Sequence, residues 1–168
     1  MLNIGVLTVR DKGSLGERQD ESGKVIRETL VRLDCRVENY EIVPDEREII
    51  AGKLSQWADV GNIDVIFTTG GTGLSPRDVT PEATFSVVDR VVPGIGEAMR
   101  METFRIAPMA ILSRAVAGVR KSCLIINLPG SRKAVEECLN VILPVIPHAV
   151  EIIKGEVTEH IAPGHNKG

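Results

Sequence analysis

The sequence has few aromatic side chains, no excess of positive charge and no long apolar run. Its 168 residues include one Trp, one Tyr and three Phe, so a surface that stacks the bases of a single-stranded nucleic acid is not expected. The formal net charge of -3 argues against nucleic-acid binding through bulk positive charge. No apolar segment approaches the roughly 18 residues that a membrane-spanning helix requires. We therefore predict that the protein binds neither nucleic acid nor membrane.

Cysteine and histidine are also sparse, and their spacing does not predict a metal site. Cys35, Cys123 and Cys138 are odd in number and lack the spacing of zinc ligands, so we interpret them as small core residues in a reducing compartment. The three histidines lie in the last predicted helix or beyond it, also without ligand spacing. The N-terminal residues enter a strand pattern directly, without a signal-peptide pattern. These features predict a cytoplasmic protein.

Strand and helix patterns alternate along the chain. Apolar runs typical of buried strands are followed by segments whose apolar residues recur at helical spacing. Alternation of this kind predicts an α/β protein with a parallel sheet covered by helices on both faces. We expect one domain over residues 1–154 and a polar C-terminal tail over residues 155–168. The predicted strands are residues 2–9, 35–43, 63–69 and 123–128.

The most distinctive residues follow the ends of the predicted strands. Arg10-Asp11-Lys12 follows the first strand, Pro44-Asp45-Glu46 the second, a glycine-rich loop the third, and residues 129–133 a later one. Parallel sheets bind ligands outside the carboxyl ends of their strands. We therefore expect these four segments to share one edge of the sheet.

The glycine-rich loop, residues 68–73, reads Thr-Thr-Gly-Gly-Thr-Gly and leads into a predicted helix start. Thr80 suits the N-cap, Pro81 the first helical position, and Glu82 a place that the helix dipole favours. Glycines let backbone N–H groups approach a ligand closely, so this arrangement predicts an anion site, most often for phosphate. A tight strand-to-helix turn without a ligand is the alternative. The dinucleotide and Walker patterns are both absent.

Two aspartates near this edge have both a structural and a functional interpretation. Asp45 begins Asp-Glu-Arg-Glu, a capping-box pattern with Asp45 at the N-cap and Glu48 at N3. Asp78 lies two residues before the predicted N-cap, so capping does not require it, although an Asx-turn could. The Asp78 side chain is also a possible metal ligand.

The basic residues of two other segments are open to two interpretations. Ser131 is a reasonable N-cap, but Arg132 and Lys133 then occupy the first helical turn, where the dipole disfavours a cation by about 0.3–1 kcal/mol. A bound anion would offset that cost, and a solvated basic patch is the alternative. Arg114 and Arg120 are either surface charges or phosphate ligands.

Five segments, taken in order, resemble the MogA/MoaB family of molybdopterin adenylyltransferases, which includes the G domain of gephyrin. One such segment is a weak signal, whereas five in order are specific, and the resemblance covers residues 4–153. The segments are Thr-Thr-Gly-Gly-Thr-Gly at 68–73, Arg-Asp-Val-Thr-Pro-Glu-Ala-Thr at 77–84, Pro-Gly-Ile-Gly-Glu-Ala-Met-Arg at 93–100, Leu-Ser-Arg-Ala-Val-Ala-Gly-Val-Arg at 112–120 and Leu-Pro-Gly-Ser at 128–131.

The resemblance implies a three-layer α/β/α fold with a mostly parallel central sheet, commonly assembled as a homotrimer. It also implies transfer of AMP from ATP to the terminal phosphate of molybdopterin, after which a partner enzyme uses the product for insertion of molybdenum or tungsten. Asp45 and Asp78 match the aspartates that the family uses for catalysis and for Mg²⁺. The implied substrate-binding residues are Asp11, Gly70, Gly71, Thr72, Gly73, Arg77, Thr80, Glu97, Ser113, Arg114, Pro129, Gly130 and Ser131, with Lys133 a further candidate to balance the triphosphate charge.

The chain departs from the family pattern at Arg10, Ile95 and Arg132, where Ser, Phe and Pro are common among relatives. None of these positions is a proposed metal ligand or a loop glycine. Two alternatives to the transferase remain: a non-catalytic molybdopterin-binding carrier or scaffold paralogue, and an enzyme of the same fold that hydrolyses nucleotide-derived substrates. Retention of both Asp45 and Asp78 argues against the carrier.

Overall fold

A six-stranded sheet lies at the centre of the structure, a computed structural model that describes residues 1–11 and 20–156. None of the helices in these two ranges is long and apolar enough to cross a membrane. The strands are β1 (Leu2–Val9), β2 (Cys35–Val43), β3 (Val65–Thr69), β4 (Arg90–Val91), β5 (Ala117–Arg120) and β6 (Cys123–Leu128). The α-helices are α1 (Glu21–Leu30), α2 (Arg47–Val60), α3 (Thr80–Phe85), α4 (Pro93–Phe104), α5 (Arg132–Ile142) and α6 (Ile146–Lys154), with 3₁₀ turns at Pro108–Leu112 and Leu143–Val145.

The strands lie in the order β2-β1-β3-β6-β5-β4. The first four run parallel, and β5 runs antiparallel to both of its neighbours. The predicted mostly parallel sheet is therefore confirmed. Strands β4 and β5 are absent from the sequence-based prediction because they contain two and four residues, too few to establish an alternating pattern.

Two apolar clusters cover the two faces of the sheet and complete a three-layer α/β/α fold. Ile4 and Val6 of β1 pack in the cluster that contains the apolar residues of α1, α4, α5 and α6. Leu7 and Val9 of the same strand pack in the cluster with α2 and α3. Because both faces are buried, β1, β3 and β6 are almost continuously apolar.

The beginning of helix α2 differs from the prediction. Helix α2 has Glu46 as its N-cap, with no capping hydrogen bond from that side chain, so the capping box predicted at Asp45 is wrong. Helix α4 begins at Pro93, which leaves Glu97 beyond its first turn. Helix α5 ends at Ile142, before Pro144. Of the predicted tail, residues 157–168 lie outside the described residues.

The cysteines do not form a metal or redox site within the described ranges. Cys123 and Cys138 are buried, and burial raises the pKa of each thiol to about 12. Cys35 is half-buried rather than a full core residue, and its thiol donates to the carbonyl of Leu30 at 3.2 Å. Thiols held in the protonated form are poor nucleophiles, which agrees with a packing role.

Candidate functional site

The four segments predicted to share one edge of the sheet meet there, except that Lys12 of the first segment lies outside the described residues. The N–H of Arg10 donates to the carbonyl of Val43 at 2.8 Å, which joins the ends of β1 and β2. The N–H of Gly70 donates to the carbonyl of Leu128 at 3.2 Å, and the Thr69 hydroxyl donates to the carbonyl of Pro129 at 2.7 Å. Chain order and strand direction together produce this convergence.

The glycine-rich loop takes its shape from close contacts with its neighbours. Gly70 has a φ of +96° and Gly71 a φ of +66°, values that side-chain-bearing residues rarely adopt. A Cβ on Gly70 would lie 2.3 Å from the carbonyl oxygen of Val9, and one on Gly71 would lie 2.3 Å from Oγ1 of Thr80. Thr80 does not cap α3 as predicted, because its hydroxyl instead donates to the carbonyl of Gly70 at 2.9 Å.

A cleft of about 570 Å³ opens beside this loop. Eight of the predicted site residues line it: Gly71, Thr72, Gly73, Asp78, Ser113, Pro129, Gly130 and Ser131. The lining also includes apolar residues that the sequence analysis missed, namely Leu74, Met109, Ala110 and Leu112. Three of these are large apolar side chains that are exposed in the structure. Isolated apolar residues are common on protein surfaces, so their presence in the sequence does not indicate a site.

The remaining predicted residues do not line the cleft. Gly70 belongs to the loop itself, and Thr80 and Arg114 donate hydrogen bonds to carbonyls of the loop. Arg77 and Asp11 pair with each other, because the Arg77 guanidinium donates to both carboxylate oxygens of Asp11, at 3.1 and 2.5 Å. Glu97 lies on the exposed side of α4, and its proposed contact with substrate stays a prediction.

Asp45 is the most unusual carboxylate of the site. Its Oδ1 is buried and has no hydrogen-bond partner within residues 1–11 and 20–156. Burial raises the pKa of this carboxyl, and the charges of Asp11 and Asp78 raise it further, while Arg77 acts in the opposite direction. The same oxygen lies 2.8 Å from the place where a Cβ of Gly71 would stand. An unpaired carboxylate oxygen is therefore held against the glycine-rich loop.

Asp78 lies against Gly73, another glycine of the same loop, and is held by a short turn. Its Oδ2 accepts from the N–H of Ser75 at 3.0 Å, and its own N–H donates to the carbonyl of Ser75 at 2.9 Å. This turn replaces the Asx-turn considered from the sequence. A Cβ on Gly73 would lie 2.8 Å from Oδ2 of Asp78, so glycine at that position gives the carboxylate its room.

The carboxylates of Asp45 and Asp78 have the donor chemistry that a magnesium ion shared with a phosphate ligand would need. No group of three or more His, Cys, Asp or Glu side chains in the described part of the chain is arranged to hold a metal by itself. Mg²⁺ commonly binds through one or two carboxylates plus substrate phosphates, which requires fewer protein ligands. The orphaned oxygen of Asp45, beside further carboxylates that raise its pKa, is suited to such a cation.

Ser131 caps α5 as predicted, since its hydroxyl accepts from the N–H of Ala134 at 3.3 Å. The two cations that follow have carboxylate partners. Arg132 contacts Glu21 at 3.4 Å, and Lys133 contacts Glu137 at 3.7 Å. The side chains of Arg132, Lys133 and Glu21 are largely exposed, so these ion pairs are weak and leave the start of α5 available to an anion.

A buried polar network links β3, β6 and α3 beneath the glycine-rich loop, and the sequence analysis did not predict it. The amide nitrogen of Asn127, on β6, donates to the hydroxyls of Thr68 at 3.0 Å and Thr84 at 2.9 Å. Thr84 in turn donates to the carbonyl of Thr80 at 2.9 Å. The signal that could have revealed it is an Asn within the apolar run Cys-Leu-Ile-Ile-Asn-Leu, because buried polar groups require partners.

We expect Asp45→Asn to stabilise the ligand-free protein at neutral pH. The folded protein raises the pKa of this carboxyl, so ionising it costs folding free energy as the pH rises through the folded-state pKa. The amide avoids that cost, and we expect a gain of about 1 kcal/mol, the low end for an unpaired buried group. Thermal unfolding in EDTA at pH 7 should give a Tm about 3 °C higher. The gain should disappear below about pH 4, where the carboxyl is protonated in both states.

Asp59→Asn is a control of opposite sign. Hydrogen bonds and charge from Arg120 and Lys121 lower the pKa of Asp59 to about 2, so its ionised form stabilises the folded state at neutral pH. Removing that charge should lower the Tm at pH 7, and the difference should fade as the pH falls towards about 2. A lower Tm for Asp45→Asn at pH 7 would contradict the proposed cost of ionising Asp45 in the folded protein.

Comparison with known proteins agrees with this geometry. Residues 5–148 match the family described as "Probable molybdopterin binding domain". The chain is 47% identical over 156 residues to the molybdopterin adenylyltransferase of Helicobacter pylori strain J99, covering 92% of this chain and 89% of the relative.

Solved structures of MoaB proteins have the same fold. The molybdopterin biosynthesis enzyme MoaB of Thermus thermophilus superposes with a TM-score of 0.86 at 53% identity, covering 92% of this chain and 98% of that one. The tungsten cofactor synthesizing protein MoaB of Pyrococcus furiosus gives 0.81 at 34% identity, covering 91% and 97%. The resemblance inferred from five sequence segments is confirmed, and the chain belongs to the molybdopterin-binding family that includes MoaB and the molybdopterin adenylyltransferases.

Proposed function

We propose that this protein transfers AMP from ATP to the terminal phosphate of molybdopterin and releases pyrophosphate. The observation that carries the proposal is the convergence of the glycine-rich loop, the start of α5 and Asp78 around one cleft, with Asp45 held against Gly71 of the same loop. The name that the Helicobacter pylori relative carries, at 47% identity over nearly all of both chains, supports the same reaction.

The reaction joins two polyanions, which explains what the cleft must provide. A terminal phosphate oxygen of molybdopterin attacks the α-phosphorus of ATP, a new P–O bond forms, and the bond from the α-phosphorus to the bridging oxygen breaks as pyrophosphate leaves. Little covalent work is left to the protein in such a transfer, so positioning and charge neutralisation supply most of the rate. The loop at Gly71–Gly73 and the start of α5 at Ser131 offer backbone N–H groups for phosphate oxygens.

Asp78 and Asp45 are the proposed ligands of Mg²⁺. When bound, the ion neutralises phosphate charge at the reacting centre. Arg77 is the proposed partner of the triphosphate, since its guanidinium is exposed and its present carboxylate partner Asp11 lies at the same edge. These roles, and those of the predicted substrate-binding residues that line the cleft, are proposals from the family pattern and from their positions.

An assay with purified protein, molybdopterin, Mg²⁺ and ATP labelled at the α-phosphate tests the reaction. Labelled adenylyl-molybdopterin is the expected product. Molybdopterin binding without label transfer would favour the carrier or scaffold alternative. Hydrolysis of ADP-ribose-like compounds without transfer would favour the hydrolase of the same fold.

We also propose that the protein works as a homotrimer in the cytoplasm and passes its product to an enzyme that inserts molybdenum or tungsten. Exposed apolar side chains near the end of α4 and the following turn support association between copies. Light scattering should give a mass of about 55 kDa, three times the 18.2 kDa of one chain. A mass near that of one chain at working concentration would refute the trimer. The side chains concerned are Met101, Phe104, Ile106, Met109 and Ile111.

A further inference from the structure

Arg114 makes four kinds of contact with the segment that carries Asp78. Its backbone N–H donates to the carbonyl of Thr72 at 2.9 Å. Its Nε donates to the carbonyl of Gly73 at 2.8 Å, and its Nη2 donates to the carbonyl of Asp78, also at 2.8 Å. Its Nη1 forms an ion pair with the carboxylate of Glu82 on α3. Every one of these partners lies within residues 72–82.

These contacts fix both ends of the turn in which Asp78 sits. Gly73 precedes the turn, Asp78 ends it, and Glu82 belongs to the helix that follows. A guanidinium is planar and rigid, so one that binds three partners fixes their relative positions. The distance between the backbone of Gly73 and the carboxylate of Asp78 is therefore determined partly by Arg114.

Arg114 is itself held in place from the other side. Nη1 of Arg100, on α4, donates to the carbonyls of Ser113 at 3.3 Å and Ala115 at 2.8 Å, which flank Arg114 in the chain. Gly96 permits this approach, because a Cβ there would lie 2.8 Å from the carbonyl oxygen of Ala115. Ser113 lines the cleft while the neighbouring Arg114 side chain extends behind the loop.

We propose that Arg114 is a positioning residue for Asp78 and the glycine-rich loop, supported by Arg100, rather than a ligand of the triphosphate. Glu82 neutralises its charge, and the carbonyls of Gly73 and Asp78 accept from Nε and Nη2, so turning the guanidinium towards a phosphate would break bonds that shape the loop. The catalytic part of this inference rests on the proposed function, because Asp78 is the group being positioned.

Hydrogen exchange of the ligand-free protein tests the positioning role without any activity. In Arg114→Gln, the amides between Gly73 and Asp78 should exchange about tenfold faster or more, since charge-assisted hydrogen bonds that close the segment are lost. Arg120→Gln is the matched control, because Arg120 likewise binds a carboxylate, Asp59, and a carbonyl, that of Val87. The control should leave exchange in this segment unchanged. Equal exchange in the wild type and in Arg114→Gln would overturn the proposal.

Glu82→Gln provides a milder second variant if Arg114→Gln folds poorly. It retains Arg114 but weakens one of its anchors, so exchange between Gly73 and Asp78 should rise in the same direction by a smaller factor. Combining both substitutions should add little to the effect of Arg114→Gln alone, because both disrupt one contact network. Fully additive effects would show that the two residues act separately and would overturn the network.

Kinetics then separate positioning from direct binding of ATP. If Arg114 positions Asp78, Arg114→Gln should lower kcat by about 100-fold, the scale of a small misplacement, with the KM for ATP nearly unchanged. Arg114→Lys should recover only part of the rate, because an ammonium cannot hold two carbonyls and a carboxylate in one plane. A raised KM with kcat retained would assign Arg114 to the triphosphate instead. Absence of transfer by the wild type would refute the proposed function and leave the exchange result standing.

Discussion

Asp78→Asn should abolish adenylyl transfer while molybdopterin still binds. The asparagine keeps the size of the side chain and an oxygen that can accept from the N–H of Ser75, so the turn that positions it should survive. What disappears is the negative charge beside the cleft, and with it a ligand for Mg²⁺. Removing one preorganised electrostatic group commonly lowers kcat by about 10²–10³-fold, and loss of a metal ligand places this variant at the upper end or beyond.

The label-transfer assay measures this loss, and molybdopterin binding measured separately shows that the cleft persists. Asp89→Asn is the matched control, because Asp89 also accepts a backbone N–H, that of Lys121 at 2.7 Å, but lies at the β4–β5 edge of the sheet. The control should retain full activity. Wild-type turnover by Asp78→Asn would remove Asp78 from the catalytic machinery, and loss of molybdopterin binding would make its role one of binding.

Much of the architecture could be predicted because it depends on short-range patterns. Buried parallel strands are apolar throughout, so β1, β3 and β6 are visible in the sequence as runs of apolar residues. Once the strands are parallel, their carboxyl ends must lie at one edge, which brings Asp11, Asp45 and Ser131 to the glycine-rich loop without further information. The convergence of the site therefore follows from chain order.

The internal contacts of the site could not be predicted, because their partners are distant in the chain. Asp45 matches a capping box locally, yet Oδ1 lies against Gly71 instead of capping α2. Arg114 is indistinguishable from a surface arginine until folding brings it to Gly73, 41 residues away. Asn127 contacts Thr68 and Thr84 across 59 and 43 residues. In each case a tertiary contact determines the role, and the local pattern does not identify the partner.

Gly70→Ala should be the most destabilising small substitution in the loop. Its φ of +96° is strained for any residue with a Cβ, at a cost of about 1–2 kcal/mol. The added methyl would also lie 2.3 Å from the backbone carbonyl oxygen of Val9, and relieving such an overlap typically costs about 1–3 kcal/mol more. We expect a loss of about 3 kcal/mol or more in the free energy of unfolding, measured by urea denaturation.

Substitutions at two other glycines separate the cost of the positive φ from the cost of the overlap with Val9. Gly61 has a φ of +78° with no atom within 4 Å of its would-be Cβ, so Gly61→Ala should show the backbone strain alone. Gly52 lies within α2, also with open space around it, and Gly52→Ala should stabilise the protein by about 0.5–1 kcal/mol. The expected order of stability is therefore Gly52→Ala above wild type, then Gly61→Ala, then Gly70→Ala. If Gly70→Ala unfolded no more easily than Gly61→Ala, the contact with Val9 would not constrain the loop. The glycine would then serve the approach of a phosphate rather than the packing of β1 against β3.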